Sequence, residues 1–111
     1  MDLQNELNYK SQLLYKSVQE LKNTGKKYAD AYTKYRMELA KELVKLKDEG
    51  YAITLAGDIA RGKPEIAKLK FDEISTEAVY KANQETINVL KLQIKILENQ
   101  IGREWSNNEE Q

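Results

Sequence analysis

Apolar residues recur every three or four positions over most of the chain, a spacing that predicts two long amphipathic helices. In the first half they form two rows, one at positions 7, 14, 21, 28 and 35 and one at 18, 32, 39 and 46. Ser11, Gly25 and Glu42 interrupt the pattern. We predict one helix over residues 2–48, with Gly25 as its weakest point, because a glycine costs about 1 kcal/mol inside a helix.

The second half of the chain carries a cleaner repeat, which predicts a second long helix over residues 64–105. One row has Ile or Tyr at 66, 80, 87, 94 and 101 and is interrupted by Glu73. The other has Leu at 69, 90 and 97 and is interrupted by Thr76 and Asn83. Isoleucine in one row and leucine in the other suits coiled-coil packing. Pro64 favours a helix start at that residue, and residues 106–111 are predicted to be a frayed polar tail.

The connector, residues 50–63, predicts a turn that contains a short helix. Gly50 is suited to end the first helix because glycine tolerates the left-handed conformation found there. Thr54 is suited to cap a helix of two turns, and Gly62 to end it. The predicted fold is therefore all-α: a long antiparallel helical hairpin, coiled-coil-like, with a short helical turn at its tip, in one domain of residues 1–105.

The second long helix has more apolar surface than one hairpin seam uses. Its outer face holds Phe71, Ile74, Ala78, Val89, Leu92 and Ile96. Large exposed apolar patches usually mark a partner site. We therefore expect a homo-oligomer, with a dimer that forms a helical bundle as the favoured state.

Composition excludes much of enzyme chemistry. The 111 residues include 18 basic and 18 acidic side chains but no His and no Cys. A protein without these two residue types lacks thiolates, disulfides, imidazole bases and the usual zinc ligands. We therefore predict a non-enzymatic protein with no cofactor and no metal. Because the start is acidic and polar and no apolar run is long enough to span a bilayer, we expect a cytoplasmic protein without a membrane partner.

Two local patterns resemble chemical sites. The stretch from Gly57 to Lys63 has the glycine and lysine spacing of a phosphate-binding P-loop, but Pro64 stands where that loop needs Ser or Thr, and no parallel sheet is predicted. Two helix caps explain the glycines better. Glu42 and Glu73 fall on core positions of the heptads. We interpret them as structural groups that pair with Lys45, Lys70 or Arg61, with a polar ligand pocket or a metal site as alternatives.

Charge and tyrosines concentrate toward the predicted tip. Residues 22–70 hold 12 basic and 7 acidic side chains, and the remainder holds 6 and 11. Basic residues interleaved with aromatics bind phosphates and bases, but dedicated DNA-binding proteins are usually basic overall. A partly hydrated seam and a solvated face are the structural alternatives, and Trp105 is suited to cap the seam. The candidate partner-binding residues are Tyr28, Tyr32, Tyr35, Arg36, Tyr51, Arg61, Lys63, Lys70, Tyr80, Arg103 and Trp105.

About half of the chain, residues 50–105, resembles a known group of proteins. The shared residues are Gly50-Tyr51, Thr54-Leu55, Asp58, Ala60-Arg61-Gly62, Ala67, Lys70-Phe71, Glu77-Ala78, Tyr80-Lys81-Ala82, and the run from Leu97 to Ile101 with Arg103-Glu104-Trp105. They resemble small helical proteins encoded in the early or recombination–replication regions of tailed phages and prophages of Gram-positive bacteria. The resemblance implies no catalytic residues.

The resemblance also implies a setting and a class of function. The setting is the cytoplasm of a bacterial host. The most concrete expectation is a phage protein that binds and inhibits a host or defence protein, as an anti-CRISPR does. One alternative is a nucleic-acid-binding accessory factor of phage recombination or replication. A further alternative, which does not depend on the resemblance, is a nucleotide-signal sponge with a pocket formed between protomers by Arg61, Tyr80 and Arg103.

Overall fold

The structure, a computed structural model, describes residues 2–110 and contains three α-helices. These are α1 (Leu3–Asp48), α2 (Ile53–Gly62) and α3 (Pro64–Glu110). No strand occurs among the described residues, so the predicted all-α hairpin fold is confirmed. The chain divides into two compact units. We call Thr24–Tyr80 the tip unit, and residues 2–23 with 81–110 the terminal unit; α1 and α3 run antiparallel in each.

The end of α1 forms as the sequence predicts. Gly50 has a φ of 97°, a conformation that residues with a Cβ rarely adopt. The turn is closed by the amide of Tyr51, which donates to the Leu46 carbonyl at 3.2 Å, as in a glycine-capped helix end. Gly50 is therefore confirmed as the residue that ends α1.

The start of α2 differs from the prediction. Thr54 does not cap the helix, because it already lies in the first turn. The residue before α2 is Ala52, which is extended and whose methyl side chain cannot cap the helix by a hydrogen bond. Its backbone carbonyl accepts a hydrogen bond from the amide of Ala56 at 2.8 Å. The end of α2 at Gly62 is confirmed. Lys63 is extended with ψ 135°, because a residue before proline avoids the helical conformation.

Gly25 is not a break, since α1 runs unbroken from Leu3 to Asp48. A Cβ built on Gly25 would lie 3.1 Å from Cε1 of Tyr80. The ring therefore packs on bare backbone, and the glycine makes room for it. The prediction that Gly25 is a weak point of the helix is therefore wrong, and the glycine instead admits the Tyr80 ring.

The seam in the terminal unit follows the heptads of α3, with Ile87, Leu90 and Leu97 all buried. The second row predicted in α1 is wrong at Val18, which is 48% exposed. Ser17 takes its place, half-buried, and its carbonyl accepts a hydrogen bond of 2.9 Å from Nδ2 of Asn83.

The second predicted row of α1 is also wrong by one position in the tip unit, where Tyr32 is exposed and Ala31 is half-buried. Ala31, Tyr35 and Leu39 follow two successive spacings of four, whereas a strict heptad alternates three and four, so the packed row shifts by one position between Ala31 and Leu39. The predicted row is therefore correct only at Leu39 and Leu46, which are buried.

The tip unit has a core built around α2. Ala56 and Ala60 are buried, and Ala60 has no exposed surface. They pack with larger residues of α1 and α3: Tyr35, Leu39, Leu46 and Ile66. Small residues four positions apart let α2 lie close to the two long helices.

Two other features of α3 bear on the predictions. The helix continues through Glu110, past the predicted end at residue 105. Residues 106–110 contain neither Gly nor Pro, so nothing in the sequence stops the helix; Gln111 lies outside the described residues. The outer face is exposed as expected, at Phe71, Ile74, Ala78, Val89, Leu92 and Ile96.

Candidate functional site

Two of the lysines predicted to bind a partner are held by carboxylates of the tip unit. Nζ of Lys63 lies 2.7 Å from Oε2 of Glu42, and both side chains are partly buried. This hydrogen bond lowers the pKa of the Glu42 carboxyl and raises the pKa of the Lys63 ammonium, against the opposing effect of desolvation. The pair ties α1 to the residue before α3, so Glu42 has a structural partner, Lys63 rather than the predicted Lys45 or Arg61.

The second pair lies within α3. Nζ of Lys70 is 2.9 Å from Oε2 of Glu73. Glu73 is a buried residue, 6% exposed. The same ammonium lies 4.9 Å from the centre of the Tyr35 ring, a distance typical of a cation–π contact. The hydrogen bond to Glu73 raises the pKa of Lys70. The predicted pairing of Glu73 with Lys70 is confirmed.

The Glu42–Lys63 pair predicts a defined pH dependence of stability. Glu42 has a folded-state pKa below its ordinary 4.5, so its contribution is present above pH 4.5 and is lost as the pH falls through the lowered value. Lys63 has a pKa above 10.5, so its contribution is complete below pH 10.5 and is lost as the pH rises through the raised value. We expect Glu42→Gln to be less stable than wild type at pH 7 and equal to it well below pH 4.

Urea unfolding at pH 7 and pH 3, followed by circular dichroism, measures this difference. The matched control is Glu38→Gln, which breaks the exposed pair with Lys41 at 3.2 Å and is expected to change little. A Glu42→Gln defect of equal size at both pH values would contradict the assignment.

Three of the tyrosines form a cluster in the tip unit. The Tyr28 ring meets that of Tyr32 edge-on, with centroids 6.4 Å apart, and that of Tyr80 at 6.1 Å. Tyr28 and Tyr80 are half-buried, and Tyr35 is buried in the core. Tyr28 and Tyr80 pack α1 against α3, and Tyr35 belongs to the tip core, whereas Tyr32 is exposed and its ring contacts Tyr28 of its own helix.

The glycine-rich stretch of the connector is helical, and the Arg61 side chain packs on its first glycine, Gly57. Gly57 is buried in α2, and Nη1 of Arg61 lies 2.9 Å from the place a Cβ on Gly57 would occupy. The guanidinium therefore covers the glycine one turn earlier. The stretch is helical and follows no strand among the described residues, unlike a P-loop.

The remaining predicted residues are exposed. Arg36, Tyr51 and Arg61 lie on the tip unit, whereas Arg103 and Trp105 lie on the terminal unit. The indole of Trp105 is 65% exposed, so it does not cap the seam as expected. The aromatic and basic residues predicted as one set are thus divided between internal contacts and open surface.

No family model, curated protein or solved structure matches this chain. The resemblance of residues 50–105 to phage proteins stays a prediction. None of the helices formed by residues 2–110 has the length and apolar character needed to cross a membrane.

An apolar groove that the sequence-based predictions do not include lies on the tip unit, between α1 and α2. It has a volume of about 230 Å³ and is lined by Leu43, Val44, Lys47, Ile53 and Ala56. Val44 is 61% exposed and Ile53 is 71% exposed. We call these five residues the tip groove.

The tip groove had a weak signal in the sequence. Met37, Ala40 and Val44 follow helical spacing on a face that the heptads do not use, and all three are exposed. Ile53 lies outside both long helices, so no periodic pattern places it beside Val44. Only the docking of α2 on α1 brings the two together.

Proposed function

We propose that this protein is a non-enzymatic binding protein whose tip groove docks an apolar segment of another protein. The observation that carries the proposal is that Val44 and Ile53, both mostly exposed, line one apolar groove that lies beside the core of the tip unit. Burying one such side chain completely is worth about 1.5–3 kcal/mol. Burial of these two side chains supplies part of the free energy of docking, and further contacts around the groove offset the entropy lost on association.

The charge of the tip groove suggests the chemistry of the partner. Lys47 lines the groove, and Lys45 lies in the same last turn of α1. An apolar segment that also carries Asp or Glu would place a carboxylate against Lys47 while its apolar side chains cover Val44 and Ile53. Complementary charge of this kind favours one partner over others and speeds association.

The phage resemblance supplies the class of partner in this proposal. In that setting the segment belongs to a host or defence protein, and its capture inhibits that protein, as an anti-CRISPR does. A nucleic-acid role has less support, because Lys63 and Lys70 are already neutralised by Glu42 and Glu73.

A substitution in the groove tests the proposal. Wild-type protein immobilised on resin is used to capture bacterial host proteins, and the captured protein is then purified and titrated by calorimetry. We expect Val44→Glu with Ile53→Glu to weaken this binding about 100-fold or more, because the apolar contact is lost and carboxylates repel an acidic segment. The matched control is Ile74→Glu on α3, 57% exposed, which leaves the affinity unchanged.

Two results would overturn the proposal. One is equal affinity of the double variant and wild type for the purified partner. The other is co-elution with single- or double-stranded DNA that disappears as salt rises, which would favour the recombination-accessory function.

A further inference from the structure

The terminal unit has a groove of its own, between the start of α1 and the last third of α3. It has a volume of about 430 Å³ and is lined by Leu3, Glu6, Lys10, Gln93, Ile96, Leu97 and Gln100. We call this the terminal groove. Leu97 is buried at its base, and Ile96 is 47% exposed on its wall. The middle of the groove is therefore apolar and the rim is polar.

A row of uncharged residues on α3 leads into this groove and supplies Gln93, Ile96 and Gln100 of its lining. Its members follow spacings of three and four, which places them on one face of the helix: Ala82, Thr86, Val89, Gln93, Ile96 and Gln100. Charged residues make up 32% of the chain, but none of these six positions is charged. The charged residues of this part of α3 occupy other positions around the helix. An uncharged row of this length is typical of a helix face that packs against another helix.

The uncharged row lies beside the row that already packs on α1. Ile87, Leu90 and Leu97 fill the internal seam of the terminal unit, whereas Val89 and Ile96 stay exposed. A helix with two adjacent packing rows has the pattern of a helix in a four-helix bundle, where each helix contacts two neighbours. Within the chain, α1 is the neighbour that covers the first row. The second row, with Val89 and Ile96, stays exposed and can pack against another molecule.

The charges on the rim of the terminal groove are complementary to those on the same rim of a second copy. Glu6 and Lys10 carry opposite charges one turn apart on α1, and among the described residues neither has an ion-pair partner within 4 Å. A two-fold axis between them places Glu6 of one copy against Lys10 of the other, twice per dimer. Gln93 and Gln100, whose amides both donate and accept, are placed opposite each other by an antiparallel pairing centred near Ile96.

We propose that a second copy of this chain occupies the terminal groove, antiparallel about a two-fold axis near Ile96, to form a four-helix homodimer. Ile96 of each copy covers the apolar middle of the groove of the other. This self-association uses the terminal unit alone and is independent of partner binding at the tip groove.

A charge-exchange series tests the proposal, with light scattering coupled to size exclusion and sedimentation equilibrium as the measurements. Wild type is expected at twice the chain mass of 12.9 kDa. Glu6→Lys and Lys10→Glu are each expected to weaken the dimer about tenfold, because two attractive pairs become repulsive. The double variant restores opposite charges across the axis and is expected to return the wild-type dissociation constant.

Ile96→Glu is expected to give a monomer, because it places carboxylates in the apolar middle of the interface. The matched control is Val18→Glu, on α1 at 48% exposure and outside the groove, which should leave the dimer intact. Circular dichroism checks that each variant is folded.

Three results would overturn the proposal. The first is a monomeric wild type at all concentrations reached. The second is a double reversal that is no tighter than the single reversals. The third is a dimer that survives Ile96→Glu, which would place the interface on another face.

Discussion

Replacing Leu46 with alanine is expected to lower the free energy of unfolding by about 3 kcal/mol. Leu46 is 4% exposed and packs in the tip core with Ala56, Ala60 and Ile66. Removing it forfeits the transfer free energy of the lost methyl and methylene groups and leaves a cavity, and such changes cost about 2–5 kcal/mol. The buried residues of α2 in this cluster, Ala56 and Ala60, are too short to fill the space.

Urea unfolding followed by circular dichroism measures this effect. The matched control is Val44→Ala, two residues earlier on α1 and mostly exposed, for which we expect a change of about 0.5 kcal/mol or less. If the two variants have the same unfolding midpoint, the core does not hold α2 in the way described.

The main elements could be predicted because local chemistry decides them. Gly50 and Pro64 end α1 and begin α3 through backbone preferences that need no tertiary contact. The rows of α3 were correct even at their polar members, since Glu73 is buried and Asn83 is half-buried. Both use polar side chains to make a specific bond inside the seam, Glu73 to Lys70 and Asn83 to the Ser17 carbonyl.

The candidate site was harder to predict because it depends on contacts between distant residues. Lysines that look free in the sequence are paired, since the partner of Lys63 lies 21 residues away at Glu42. Tyr35 looks like a binding aromatic but is buried in the core. The tip groove exists only once α2 has docked on α1, so neither helix alone carries a pattern that reveals it.

Replacing Gly25 with leucine is expected to destabilise the protein by about 1–2 kcal/mol, although leucine is the better helix former. Helix propensity alone would favour leucine by almost 1 kcal/mol. The new side chain, however, meets the Tyr80 ring, which lies 3.1 Å from the position of the first added carbon. Overpacking of this kind costs about 1–3 kcal/mol, and the ring is itself held by Tyr28 at 6.1 Å.

A comparison with Gly102 separates the effect of helix propensity from the effect of the contact with Tyr80. A Cβ on Gly102 in α3 meets nothing within 4 Å, so Gly102→Ala is expected to gain about 0.5 kcal/mol from helix propensity alone. Tyr80→Ala removes the ring, and in that background Gly25→Leu should no longer be unfavourable. The cycle of Gly25→Leu and Tyr80→Ala, measured by urea unfolding, gives the coupling free energy directly. A coupling near zero would mean that the glycine is not there to admit the ring; a coupling of about 1 kcal/mol or more means that the close approach of α1 and α3 depends on it.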